Sequence, residues 1–350
     1  MKKRVFSGTR ATGRLHLGNY LGAVKGYIEL QNDPDYDCVY MAVDVHTITT
    51  PFDAKTLPTA TRDIIMDYLA AGLDPEKAII TKQSLVPEHI ELAFLFSSVL
   101  TVARMQDLPT FKDKIRQHPE NVTMALLNYP VLMASDILIY KAGLVPCGID
   151  QEPHLEVARE VARKMNQIYG TDFPEVQRFA TAGQYVPSLL GEGKMSKSVE
   201  GSSINLTDDL AIIQKKLARV PTDSGKGNII ENSSFPTTEE EYHSYLNNVG
   251  VVSAGVETLF ELVEMFIGSE RKLEYQKLYH SKDSAGIRYG EMKSEIAQAI
   301  YSELKPIQIK RAELEKNPDY VDNVIADGAQ KARTIASQTL AEVKEKMGLK

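Results

Sequence analysis

At 350 residues, with 43% hydrophobic and 25% charged side chains, the chain has the composition of an ordinary globular protein of about two domains. Its net charge of −7 excludes a protein that coats nucleic acid by bulk attraction. Apolar runs are too short for a membrane span, and after Lys2, Lys3 and Arg4 only Val5 and Phe6 could begin a signal-peptide core. Two cysteines, Cys38 and Cys147, are too few for a zinc knuckle or an iron–sulfur cluster and read as reduced thiols in a cytoplasmic protein.

Val5 to Gly8 reads as a short strand, Thr9 to Gly13 as a polar turn, and an apolar-periodic helix begins near Leu17. Cys38 to Val43 is a buried strand, Thr59 to Ala71 a helix, and Ala78 to Thr81 a further strand. Strands alternating with helices at this spacing predict βαβ units and a parallel sheet, a Rossmann-like α/β domain. Glu88 to Ala103 reads as one helix that is apolar nearly all round. Such a helix is buried, either in a core or between subunits, and a charge at Phe96 is expected to separate a pair of copies joined there. Leu132 to Tyr140 and Glu152 to Met165 read as helices, and the glycines at 183, 191, 193 and 201 mark a loop-rich stretch. Beyond Asn205 strand-like runs nearly vanish, and helices are predicted at Asp208 to Ala218, Val256 to Gly268, Tyr289 to Leu304, and from Asp322 onward. These observations predict a Rossmann-like domain over 1–204, an all-helical domain over 205–318, and a C-terminal helix over 319–350 packing back near the first.

Two segments carry chemistry. The first, Thr12 to Ala23 (TGRLHLGNYLGA), joins a strand to a helix. A helix N-terminus exposes unpaired N–H groups and favours phosphate, Gly18 lets a nucleotide approach the backbone, and His16 and Asn19 share a face as hydrogen-bond donors. Taken alone, the segment reads equally well as a turn glycine beside two polar surface residues. The second, Gly193 to Ser198 (GKMSKS), sets Lys194 and Lys197 three apart beside Met195, Ser196 and Ser198. Two ammonium groups on a loop can neutralise a triphosphate and its departing pyrophosphate without a covalent nucleophile. A third basic cluster, Arg104, Lys112, Lys114 and Arg116, is interrupted by Asp107 and Asp113 and reads as a solvated face more readily than as a nucleic-acid patch.

In this order the two segments resemble the paired signatures of class I aminoacyl-tRNA synthetases, with asparagine closing the first as in the tryptophan branch. Asn128 to Arg159 (NYPVLMASDILIYKAGLVPCGIDQEPHLEVAR) is similar to the amino-acid pocket of tryptophanyl-tRNA synthetases, and the similarity continues through the C-terminal segment. The resemblance implies that Asp136 accepts from the indole N–H, which is a donor only. It further implies that Met133 and Phe6 pack on the ring, and that Tyr129 and Gln151 hold the amino and carboxylate groups. Met133 and Phe6 would otherwise read as core residues, and Asp136 as a cap or ion-pair partner. Thr12, Gly13, Gly148 and Asp150 are implied to face the nucleotide, with Lys114 adding positive charge. His16 and Asn19, with Lys194 and Lys197, are implied to act on the phosphates. Arg10, counted with the ATP-binding residues, stands where many relatives carry glutamine near the substrate carboxylate, and Cys147 where valine is common. The resemblance implies ATP as substrate with Mg²⁺, no resident metal or cluster, L-tryptophan and tRNA(Trp) as the other substrates, a homodimer, and no membrane association. Rival readings are tyrosine as the amino acid, a non-catalytic paralogue that binds RNA or protein, and a small-molecule adenylyltransferase.

Overall fold

The computed structural model describes residues 2–117, 119–179, 185–196, 199–227, 236, 238, 241–242, 244–245, 252–280 and 285–349. The chain divides into two compact units. The first comprises Met1–Leu15, Gly22–Gly183 and Lys310–Lys350, and the second comprises His16–Leu21 and Gln184–Ile309.

The first unit is built on five parallel strands: β1 (Lys3–Thr9), β2 (Tyr36–Ala42), β3 (Ala78–Lys82), β4 (Leu144–Pro146) and β5 (Gln177–Phe179). Their order in the sheet is β3-β2-β1-β4-β5, with Val5 opposite Cys38 and Leu144, and Cys38 opposite Ala78. Val39, Tyr40, Met41 and Ala42 are all fully buried. A parallel strand covered on both faces needs a continuous apolar run rather than an alternating one, and this is the pattern that makes β2 legible. The helices packed around the sheet are α1 (Lys25–Asn32), α2 (Leu57–Ala71), α3 (Glu88–Phe96), α4 (Val102–Gln106), α5 (Pro109–Gln117), α6 (Met124–Leu138) and α7 (Glu152–Tyr169). β4 and β5, three residues each, escape a reading of the sequence, because three residues carry no usable periodicity.

The single helix expected over 88–103 is instead α3, a 3₁₀ turn at Ser97–Val99, and α4. Ser97 and Ser98 turn their hydroxyls onto the carbonyls of Ala93 and Leu95. Leu100 is extended, and Thr101 caps α4 by accepting from the Arg104 N–H. Short hydroxyl side chains compete for backbone groups in this way and end helices. The break corrects a residue assignment. Phe96 is fully buried in the core of its own unit, edge-on to Phe173, and the outward phenylalanine is Phe94, 79% exposed.

The second unit holds α8 (Leu210–Ala218), α9 (Ala254–Phe266), α10 (Ser269–His280) and α11 (Tyr289–Glu315) as far as Ile309. Asp209 caps α8 through the Ile212 N–H. The last helix, α12 (Pro318–Lys346), belongs to the first unit and covers the edge strand β3. Thr81 donates its hydroxyl to the Ile325 carbonyl at 2.8 Å. At Gly328 the two backbones come so close that a Cβ would lie 2.1 Å from the Ile80 carbonyl oxygen. No helix among the described residues is long and apolar enough to cross a membrane.

Candidate active site

In a parallel sheet the crevice for ligands opens beyond the carboxyl ends of the strands. Polar residues gather there in the first unit: Arg10 follows β1, Asp44 and His46 follow β2, Gln83 follows β3, and Gly148 to Gln151 follow β4.

Asp136 lies on α6 with 2% of its surface exposed. Its Oδ1 accepts from Gln83 Nε2 at 2.6 Å and from His89 Nδ1 at 2.5 Å, and its Oδ2 accepts from His46 Nε2 at 2.7 Å. Burial alone would raise its pKa. The charge and hydrogen bond of His46 and those of His89 outweigh burial and bring it down to about 2, so the carboxyl stays ionised. His89 passes the chain on, its Nε2 lying 2.7 Å from the Tyr140 hydroxyl. Phe6 stacks on Tyr140 with centroids 5.6 Å apart, and Met133 sits half-buried at the margin of the same core. Three donors occupy the carboxylate, and one acceptor position remains on Oδ2 for a further donor.

A cavity of about 40 Å³ lies nearby, lined by Arg10, His46, Thr49, Thr50, Lys114, Leu126 and Tyr129. Arg10 donates to the Thr50 hydroxyl at 2.7 Å, and its Nε is buried without a partner. Burial and then the charge of Arg10 lower the pKa of Lys114, whose ammonium reaches Gln117 Oε1 at 2.8 Å. The cavity therefore presents two cations and an unmet donor, an arrangement that attracts an anion.

Tyr129 and Gln151 meet through His154. The Tyr129 hydroxyl lies 2.7 Å from His154 Nε2, and Gln151 Oε1 lies 3.1 Å from His154 Nδ1. Asp150 accepts from Gln151 Nε2 at 2.7 Å. At Gly148 a Cβ would lie 2.3 Å from Asp150 Oδ1, so a larger residue there would have to turn the Asp150 carboxylate aside. Thr12 is exposed and Gly13 takes φ +115°, the left-handed region open to glycine.

The signature residues His16, Gly18 and Asn19 belong to the second unit together with the segment around Lys194. His16 caps the turn Leu17–Asn19 by accepting from the Asn19 N–H on Nδ1, and Asn19 Oδ1 accepts from the His16 N–H. Their spacing of three is thus a reciprocal capping box, in which His16 Nδ1 and Asn19 Oδ1 are the acceptors. The Leu17 N–H donates to the Ile204 carbonyl at 2.8 Å. A Cβ at Gly18 would lie 3.4 Å from Met195 Cβ, so the two signatures are neighbours within this unit. Met195 is buried, Lys194 is exposed beside Pro187, and the Ser202 hydroxyl donates to the Ser196 carbonyl at 2.6 Å. Lys197 and Ser198 lie outside the described residues. The surface cluster of Arg104, Lys112 and Arg116 is paired with Glu160, Asp107 and Asp113, as a solvated face would be.

Residues 1–305 match the family of class I tRNA synthetases for W and Y. A tryptophan–tRNA ligase of Porphyromonas gingivalis is 38% identical over 350 residues, 99% of each chain. The chain belongs to the tryptophan–tRNA ligase family. Another member, from Helicobacter pylori, is 37% identical and covers 99% of each chain. The crystal structure of a Campylobacter jejuni tryptophanyl-tRNA synthetase, complexed with ADP and tryptophan, superposes with a TM-score of 0.79 at 28% identity over 99% of both chains. As a tryptophan–tRNA ligase family member the chain is a class I synthetase with a Rossmann-type sheet, and ATP is a substrate of that family. His46, Gln83, His89, Thr110 and His154 do not stand out in the sequence. Their signal is position, since His46 and Gln83 follow predicted parallel strands, where a ligand crevice opens.

Proposed function

We propose that the chain activates L-tryptophan with ATP to give tryptophanyl-adenylate and pyrophosphate, and then transfers the tryptophanyl group to the terminal ribose of tRNA(Trp). The observation that carries this reading is Asp136, an ionised carboxylate buried on α6 with one acceptor position unspent. An indole N–H, a donor with no acceptor capacity, suits that position, and a phenylalanine ring would leave it unpaired. Phe6 and Met133 supply apolar surface for the ring, and Tyr129 and Gln151 supply polar atoms for the amino and carboxylate groups.

The tryptophan carboxylate attacks the α-phosphorus of ATP, which arrives with Mg²⁺ as part of the substrate. Arg10 and Lys114 contribute positive charge in the first unit, where Thr12, Gly13, Gly148 and Asp150 face the nucleotide. In the second unit His16, Gly18, Asn19, Lys194, Met195, Ser196, Lys197 and Ser198 act on the phosphates, His16 and Asn19 as donors and the two lysines by neutralising the pyrophosphate. The helical stretch 205–318 is assigned to the tRNA anticodon, and charging of tRNA places the work in the cytoplasm. The exposed Ile90 and Phe94 on α3 fit an interface between two copies of the chain.

Amino-acid-dependent ATP–pyrophosphate exchange across the twenty standard amino acids tests the reading. Exchange with tryptophan alone is expected, and exchange driven by tyrosine instead would overturn it.

A further inference from the structure

His154 lies on the first turn of α7, is 4% exposed, and has no role in the chemistry described so far. Its surroundings fix hydrogen-bond directions one after another. Asp150 is an acceptor only, so the Gln151 amide must turn its NH₂ toward Asp150 and its Oε1 toward His154. Oε1 is also an acceptor only, so the imidazole proton sits on Nδ1 and Nε2 keeps its lone pair. Two hydroxyls converge on that lone pair, Tyr129 at 2.7 Å and Thr110 at 2.9 Å. Nε2 can accept only one proton along its lone pair, and the Tyr129 hydroxyl is the nearer of the two. The Tyr129 proton is then spent on the histidine, and its oxygen is left as an acceptor for a ligand.

We propose that His154 is a positioning residue for the amino group of the substrate: by taking the Tyr129 proton, it makes the Tyr129 oxygen an acceptor facing an alkylammonium. The inference rests on the reading of Tyr129 and Gln151 as the residues that meet the amino-acid head group. A tyrosine free to rotate would present its O–H as readily as its lone pairs and repel an ammonium; one held by His154 presents oxygen only. Burial, and then the charge of His46, push the His154 pKa down to about 4, which keeps the ring neutral and Nε2 an acceptor at neutral pH.

The test uses three ligands of the full-length protein, measured by calorimetry: tryptophan, tryptamine (ammonium without carboxylate) and indole-3-propionate (carboxylate without ammonium). His154→Leu should weaken tryptophan and tryptamine roughly 10- to 100-fold, the scale of a hydrogen bond to a charged group, and leave indole-3-propionate within about twofold. His154→Gln, whose Oε1 can accept from Tyr129, should restore most of the loss. In a Tyr129→Phe background His154→Leu should add less than about twofold, because the histidine acts through the tyrosine. Should His154→Leu fail to fold, His154→Asn carries the same contrast, since its shorter amide does not reach Tyr129. An equal loss for all three ligands, or additive effects of the two substitutions, overturns the proposal. A wild-type protein that binds none of the three and shows no tryptophan-dependent exchange overturns the substrate reading instead.

Discussion

Arg311, 4% exposed near the end of α11, points its guanidinium at Asp63 and Asp67 on α2. Asp63 Oδ1 is 2.7 Å from Nη2, Glu315 Oε1 is 3.1 Å from Nε, and Asp67, 1% exposed, meets Nη1. The other oxygen of Asp67 accepts from the Leu15 N–H at 3.1 Å, one residue before His16. Burial raises the pKa of Asp67, and Arg311 is the chief influence opposing it. Replacing Arg311 with methionine keeps the apolar stem and strands a buried carboxylate. Breaking one side of such a pair costs about 3–5 kcal/mol, whereas replacing both sides can be nearly neutral. Arg311→Met should therefore lower stability by about 3–5 kcal/mol in urea unfolding at pH 7. Arg311→Met with Asp67→Asn should recover most of that, because asparagine still accepts from the Leu15 N–H. The cost of Arg311→Met should shrink as the pH falls, since a protonated Asp67 carries no charge to strand. A single-substitution cost below about 1 kcal/mol, or a double substitution worse than the single, refutes the reasoning.

Asp136→Asn puts an NH₂ donor in place of one of the two oxygens that hold His46, His89 and Gln83 and removes the negative charge; tryptophan-dependent exchange should fall at least roughly 100-fold with ATP binding nearly intact, and unchanged exchange would refute the indole assignment. Phe94→Glu should shift sedimentation toward the monomer and abolish tRNA charging, because a charge at a dry interface must be desolvated; a wild type that is monomeric and charges tRNA normally refutes the interface. His154 titrates near the ordinary 6.5 when unfolded and at about 4 when folded, burial being the larger cause and the charge of His46 the second. The unfolded chain takes up that proton first, so the stabilisation is fully present above about pH 6.5 and is lost as the pH falls toward 4, by about 3 kcal/mol in all. His154→Gln should flatten that limb of the stability curve, and an unaltered slope refutes the link.

The parallel sheet is legible because β2 and β3 carry apolar runs, and β1 a short apolar pair ending at a glycine turn, set between helices. β4 and β5 are not, since their identity comes from pairing with β1 and with each other rather than from three residues of sequence. The 88–103 segment shows a different limit. Hydrophobic pattern locates it, but Ser97, Ser98 and Thr101 decide where it breaks, and the break decides which phenylalanine faces out. In the candidate site, Asp136, Tyr129 and Gln151 are found through resemblance, and their partners are not, because His46, His89 and His154 come from α-helical or turn positions, His46 lying 90 residues from the carboxylate it serves. Only the closed fold brings them together.

The covering of β3 by the final helix has a consequence for synthesis on the ribosome. Strands β1 to β3 are complete once residue 82 has emerged, yet the helix that shields their outer edge begins at Pro318. In the interval the nascent chain carries an unpaired strand edge, the kind of surface that recruits other strands. The glycine at 328 lets the late-arriving backbone press directly onto β3 and seal the sheet. Messages truncated before this helix would yield chains that hold most of the residues of the candidate site and still present themselves to chaperones as unfinished.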